Sequence, residues 1–109
     1  MSATINGTTI SLTRGDSLVL GVNVFADQDT YTPVTGDRIR FALKSNINSD
    51  DVLILKDVDI NTMTLTIEPS DTKELPFGGY VYDIELTTKD GFVDTFIGPA
   101  QFNITGEVY

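Results

Sequence analysis

This sequence predicts an all-β domain: two antiparallel sheets of about seven to eight short strands, packed face to face. Three observations carry that reading. Apolar residues recur with period two in run after run, as in RIRFALK and YVYDIELT, which puts one face of each strand on a core and the other in water. Short stretches rich in Gly, Asn, Asp and Pro separate the runs. No segment carries apolar residues at a sustained helical spacing.

The elements follow in order. Asn6-Gly7 suits a tight hairpin turn near the start. The run ISLT is followed by TRGDS, residues 13–17, and then by SLVLGVNV, where Leu18, Leu20, Val22 and Val24 fall on one face. Residues 26–36, ADQDTYTPVTG, read as a loop. In RIRFALK, Ile39, Phe41 and Leu43 alternate with Arg38, Arg40 and Lys44. Residues 45–51, SNINSDD, form a second loop, and residues 57–61 separate VLILK from TMTLTIE, where Met63, Leu65 and Ile67 alternate with threonines. SDTKEL is the best helical candidate, with Ser70 or Asp71 capping a single turn. In YVYDIELT, Tyr80, Tyr82, Ile84 and Leu86 share a face, and Lys89-Asp90-Gly91 closes a hairpin into FVDTFI. The last strand changes phase: Val93, Thr95 and Ile97 are odd, Phe102, Ile104 and Val108 even, with Gly98 and Pro99 between them. A bulge there inserts one residue and bends the strand, and proline suits a bulge or a sheet edge.

Composition narrows function. The 109 residues suit a single domain spanning 1–109, and 40% apolar content is enough for a core. Cysteine, histidine and tryptophan are absent, so the chain has no disulfide, no thiolate or imidazole zinc site, no cysteine nucleophile and no histidine base. The net charge of −9 repels phosphate backbones and anionic lipid surfaces, so neither nucleic acid nor membrane is an expected partner. No apolar run is long enough to span a membrane, and the start MSATINGTTI has neither the basic residues nor the apolar stretch of a signal peptide.

Few residues look like a site. Asp27 and Asp29 share one loop, Asp50 and Asp51 the next, and Asp57 and Asp59 a third. Calcium takes six to eight oxygen ligands, so two of these loops would have to converge to hold one; the simpler reading is solvated turn aspartates. No pair of carboxylates is set across a cleft as glycoside hydrolysis requires, and the expectation is a protein that is not an enzyme and holds no cofactor. Tyr31 and Phe77 are candidates for an interaction surface that binds a partner or a sugar. Open sheet edges are another route to a partner.

The stretch PSDTKELPFGGYVY, residues 69–82, is the most informative. A turn, then Gly78-Gly79, then Tyr80 resembles the corner of immunoglobulin-like sandwiches, in which a tyrosine hydroxyl bonds back to the upstream backbone. Gly79 and Tyr80 are therefore the expected structural corner, and Tyr82 stands where antibody domains place a cysteine.

The segments SLTRGDSLVLGVNV, TGDRIRFALKS and DTKELPFGGYVYDIELTTKDGFVDTFIGPAQFNI, in that order, resemble a family of small phage and prophage domains known as baseplate upper protein N-terminal-like. The resemblance covers roughly residues 12 to 104. It implies an immunoglobulin-like β-sandwich with a structural role in a tail or baseplate, an address in the virion or in the host cytoplasm during assembly, and other phage structural proteins or further copies of itself as partners. Longer members carry the domain as the anchor of a larger adaptor or fibre. A carbohydrate- or cell-surface-binding module, calcium-stabilised or not, is the competing expectation.

Arg14-Gly15-Asp16 spells a tripeptide recognised by cell-adhesion receptors. Gly15 permits a backbone angle that other residues resist, and Asp16 favours turns. TRGD-like starts also recur in the resembling family, where no animal receptor is involved. The expectation is a turn between strands.

Overall fold

The computed structural model describes residues 3–6, 8–26 and 29–106. In chain order it contains β1 (Ala3–Asn6), β2 (Thr9–Thr13), β3 (Leu18–Gly21), β4 (Val24–Ala26), β5 (Asp29–Tyr31), β6 (Arg38–Lys44), β7 (Ile54–Asp57), β8 (Thr64–Ile67), α1 (Pro69–Thr72), β9 (Gly78–Thr87) and β10 (Val93–Thr105). The protein is mostly β, with almost no helix. Six strands form one sheet in the order β1-β2-β10-β9-β6-β7, while β3 pairs with β8 and β4 with β5.

Alternation dictates the packing. On β6, Ile39, Phe41 and Leu43 are fully buried between more exposed Arg38, Arg40, Ala42 and Lys44. On β9, Tyr80, Tyr82, Ile84 and Leu86 point the same way. Leu18 on β3 and Leu65 and Ile67 on β8 join them, with Leu12, Phe102 and Ile104, in one apolar cluster. Phe41 stacks on Tyr82 at 5.3 Å between ring centroids, and Phe102 meets both edge-on, at 6.0 and 6.1 Å. Edge and offset-stacked geometries suit the ring quadrupoles.

The sheet is not wholly antiparallel, contrary to the expectation from period two. β10 runs parallel to β2, pairing Phe102 with Ile10 and Ile104 with Leu12. Alternation reports which face is buried and is silent on strand direction. Among the described residues the strand number also rises to ten, because the loop expected over residues 26–36 contains part of a hairpin: Val24 pairs with Tyr31 and Ala26 with Asp29. Three-residue strands are too short to carry a period. At the start, Asn6 pairs with Thr9 at the end of the β1–β2 hairpin; its turn residue Gly7, and Val108 near the C-terminus, lie outside the described residues.

Two further expectations change. α1 is capped by Glu68 and not by Ser70 or Asp71: Pro69 takes the first helical position, where its missing N–H is harmless, and the Asp71 carboxylate accepts from the Glu68 N–H at 2.7 Å. β10 holds two register shifts, one between Thr95 and Ile97 and one between Ile97 and Ala100, instead of the single inserted residue. Val93 and Thr95 consequently face outward, and the core side is taken up by Phe96, Ile97, Ala100, Phe102 and Ile104. Gly98, at φ 110°, and Pro99, after a cis bond, form this bulge.

Candidate functional site

The parallel pairing of β2 with β10 ends at Thr13 and Thr105, and the Arg14 N–H donates to the Thr105 carbonyl at 3.0 Å. The chain then turns: the Asp16 N–H donates to the Thr13 carbonyl at 3.0 Å, with Gly15 at φ 83°. A positive angle at the third position, with Arg14 outside the positive region, is the signature of a type II turn. The Gly15 N–H donates at 2.9 Å to the hydroxyl of Thr72, a fully buried residue of α1. The Arg14 guanidinium lies 4.2 Å from the centroid of the Phe77 ring and reaches the Leu75 carbonyl at 3.5 Å. Arginine and glycine of the tripeptide are thus both engaged in joining β2 to the segment between α1 and β9.

That segment builds the corner. The Tyr80 hydroxyl donates to the carbonyl of Pro76, four residues upstream, just beyond the Gly78-Gly79 pair that opens β9, with Gly78 at φ 145°. The Tyr82 hydroxyl donates to the Thr8 carbonyl, tying β9 to the turn before β2. Burial pushes both phenols above their ordinary value, because the apolar surroundings disfavour the phenolate. Phe77, 54% exposed, offers the ring area that Arg14 leaves uncovered. Tyr31 lies on β5, and its side chain is outside the described residues.

The calcium candidates are dispersed among other tasks. Asp57 holds Arg38 at 3.0 and 3.3 Å and lies 3.6 Å from Arg40. The Arg38 hydrogen bond keeps its carboxyl below the usual carboxylate range; desolvation opposes it, and the positive charges of Arg38 and then Arg40 add smaller effects in the lowering direction. Asp59 accepts from the Asn61 and Thr62 N–H groups at 2.9 and 3.4 Å, closing the turn before β8. Asp50 and Asp51 are exposed in the loop after β6, where the Asp51 N–H donates to the Ser49 hydroxyl at 3.2 Å. Asp27 lies outside the described residues, and Asp29 is described only as the start of β5. Among the described residues, no group of three or more acidic side chains could hold a metal ion.

Sequence reasoning passed over three features. Asp37 is buried; its carboxylate accepts from the Val34 N–H at 3.0 Å and the Lys89 N–H at 3.1 Å, fastening the loop before β6 to the β9–β10 hairpin. Lys56 bridges to Asp71 at 3.0 Å, linking β7 to α1. The third is on the outward side of the large sheet, where Ala42, Lys44, Ile47, Val81, Asp83 and the overhanging Pro99 line a shallow concavity of about 210 Å³. Strict alternation within TGDRIRFALKS and YVYDIELT held the signal for it, since both runs place an apolar residue, Ala42 or Val81, among the outward positions.

No protein-family profile matches this chain, and neither does any curated protein sequence. The site is therefore read from its own geometry: joints between strands, and an exposed, partly apolar sheet face.

Proposed function

We propose that this chain is a non-enzymatic, immunoglobulin-like β-sandwich that serves as a structural component of a phage or prophage tail or baseplate, acting by docking on other virion proteins. The observation that carries the reading is that three stretches bearing the phage-family resemblance each contain a structural joint. TRGD turns the chain onto α1 and Phe77. The Thr35-Gly36-Asp37 segment supplies the carboxylate that fastens two loops. The stretch DTKELPFGGYVYDIEL contains the end of α1, the Tyr80 corner and most of β9.

The strand arrangement supports the immunoglobulin-like part. β6, β9 and β10 adjoin in one sheet with β9 central, while β3 and β8 pair separately; sandwiches of this class set strands C, F and G against a sheet containing B and E. Phe41 and Tyr82 stack at 5.3 Å between ring centroids; on the immunoglobulin-like reading they would stand where antibody domains hold a tryptophan and a cysteine. Packing of these rings supplies core contact without a disulfide. An exposed sheet face is the working surface of such a domain, and fold alone assigns no chemistry.

The test is co-sedimentation. An epitope-tagged chain, produced during induction of the source phage, should travel with tailed particles through a density gradient and be absent from tail-less heads. A tag that remains entirely at the top of the gradient contradicts the proposal.

A further inference from the structure

Where β2 runs beside the end of β10, the outward side of the large sheet carries no charge. Alternation turns Thr9, Ser11 and Thr13 of β2 and Gln101, Asn103 and Thr105 of β10 away from the core. The parallel register sets Asn103 beside Ser11 and Thr105 beside Thr13, so hydroxyls and amides lie in two adjacent rows. β1, on one side, has the sequence ATIN and adds no charge. On the other side the strip continues through Gly79 and Val81 of β9 and ends at Asp83 and Lys44. At the turn after Thr13, Arg14 lies on Phe77 and Asp16 follows; Glu107, beyond Thr105, is outside the described residues.

The polar side chains brace one another. The Gln101 amide donates to the Asn103 side-chain oxygen at 2.8 Å, and the Asn103 amide donates to the Ser11 hydroxyl at 3.2 Å. Each amide has two N–H donors and an oxygen with two lone pairs, and the serine keeps its own O–H. Both amides are thus held in one direction with donors and acceptors left over, which lowers the ordering cost of binding a ligand. Gly79 lies directly across from Asn103. A glycine inside a strand weakens it, and marks a bulge, a bend or a close approach by backbone or ligand. The register is unbroken from Gly78 to Tyr82, so there is no bulge. No backbone approaches either: a Cβ at Gly79 would lie 3.5 Å from Asn103 Oδ1 and 3.7 Å from Gln101 Nε2, and these are side-chain atoms. The missing side chain leaves a recess beside two braced amides.

An anionic ligand needs cations, a metal ion needs carboxylates, and a protein partner needs an apolar centre. The two rows supply none of these. Neutral amides and hydroxyls match a ligand made of hydroxyls, each of which both donates and accepts. We propose that this strip binds an uncharged polysaccharide, with one sugar ring over Gly79 against the Gln101 and Asn103 amides and the chain running along the two rows toward Phe77. Phe77 stands at the Thr105 end, its ring against Gly106, and offers a further sugar the area that Arg14 leaves uncovered. Such binding is a property of the purified chain and is independent of any place in a virion.

Affinity electrophoresis tests it, in native gels cast with dextran, galactomannan, β-glucan or glycol chitin, beside gels with anionic polygalacturonate and gels with no polymer. The expected result is retardation by at least one neutral polymer and none by polygalacturonate, with a dissociation constant of roughly 0.1–1 mM. Gln101→Ala should weaken binding at least about fivefold. Gly79→Val fills the recess with a residue that suits a strand and should weaken it at least about tenfold. Val19→Ala, on β3 at a site 62% exposed, should leave binding within about twofold, and all three variants should melt within a few degrees of the parent. Unretarded migration in every neutral gel overturns the proposal, and so does retardation that survives both Gln101→Ala and Gly79→Val. A dimer band in the polymer-free gel that Gly79→Val abolishes would place a second copy on the strip and overturn it equally.

Discussion

Replacing Thr72 by valine probes the joint between the TRGD turn and α1. Thr72 is fully buried, and its hydroxyl accepts the Gly15 N–H at 2.9 Å. Valine keeps the branched shape but leaves that N–H without its partner, at a cost of about 1–3 kcal/mol. The methyl that replaces the hydroxyl recovers up to about 0.8 kcal/mol of apolar burial. The net loss is about 1–2 kcal/mol, or roughly 5–12 °C in melting temperature for a domain of this size. Amide hydrogen exchange followed by NMR gives the more specific readout. In the parent, the Gly15 amide should be protected well beyond an open surface turn; in Thr72→Val its exchange should quicken by about 5–30-fold. A Gly15 amide unprotected in the parent, or one whose exchange Thr72→Val leaves unchanged, would refute the reasoning.

Other expectations follow from the same contacts. Asp37→Ala strands the Val34 and Lys89 N–H groups and should cost about 2–4 kcal/mol in urea unfolding, with a loss below about 0.5 kcal/mol contradicting the fastening role. Gly98→Ala should destabilise by about 2–5 kcal/mol, since a Cβ at φ 110° would lie 2.7 Å from both the Tyr82 carbonyl oxygen and the Asp83 Cβ; Gly91→Ala, with φ 91° but open space around it, should cost less. Alkaline pH should weaken the fold through the buried phenols. Their folded-state values are raised above 10.0, so their contribution is complete below about pH 10 and is lost as pH rises through the folded values. Tyr82→Phe removes one phenol: it should cost about 1 kcal/mol at pH 7, through the lost bond to Thr8, yet flatten the fall in melting temperature between about pH 9 and 11.5, and an unchanged slope would count against the burial of Tyr82.

Much of this architecture could be read from alternation because the strands that matter most are long and one-sided. RIRFALK and YVYDIELT bury every second residue, and the Lys89-Asp90-Gly91 turn closes with the Gly91 N–H on the Thr88 carbonyl at 2.9 Å. What escaped depends on partners distant in sequence. The parallel alignment of Ile10 with Phe102 joins the two ends of the chain, and a period of two has no term for direction. The β4–β5 arm is too short to show a period. The Thr72 hydroxyl gains its meaning only when the TRGD turn, 57 residues away, arrives beside it. The aspartate pairs looked like ligands because spacing alone cannot tell a carboxylate awaiting a cation from one held by Arg38 or by a turn, as Asp57 and Asp59 are. Leu53 and Leu55 lay in an unbroken apolar run, VLILK, where only the register against β6 separates the exposed side chains from buried Ile54.

The central claim, a structural place in a tail or baseplate, is tested most directly by quantitative peptide mass spectrometry on phage particles purified after induction of the source strain. The account predicts peptides of this chain at a fixed copy number relative to known tail proteins, unchanged after washing at high salt. Abundant tail proteins with no peptides from this chain would contradict it.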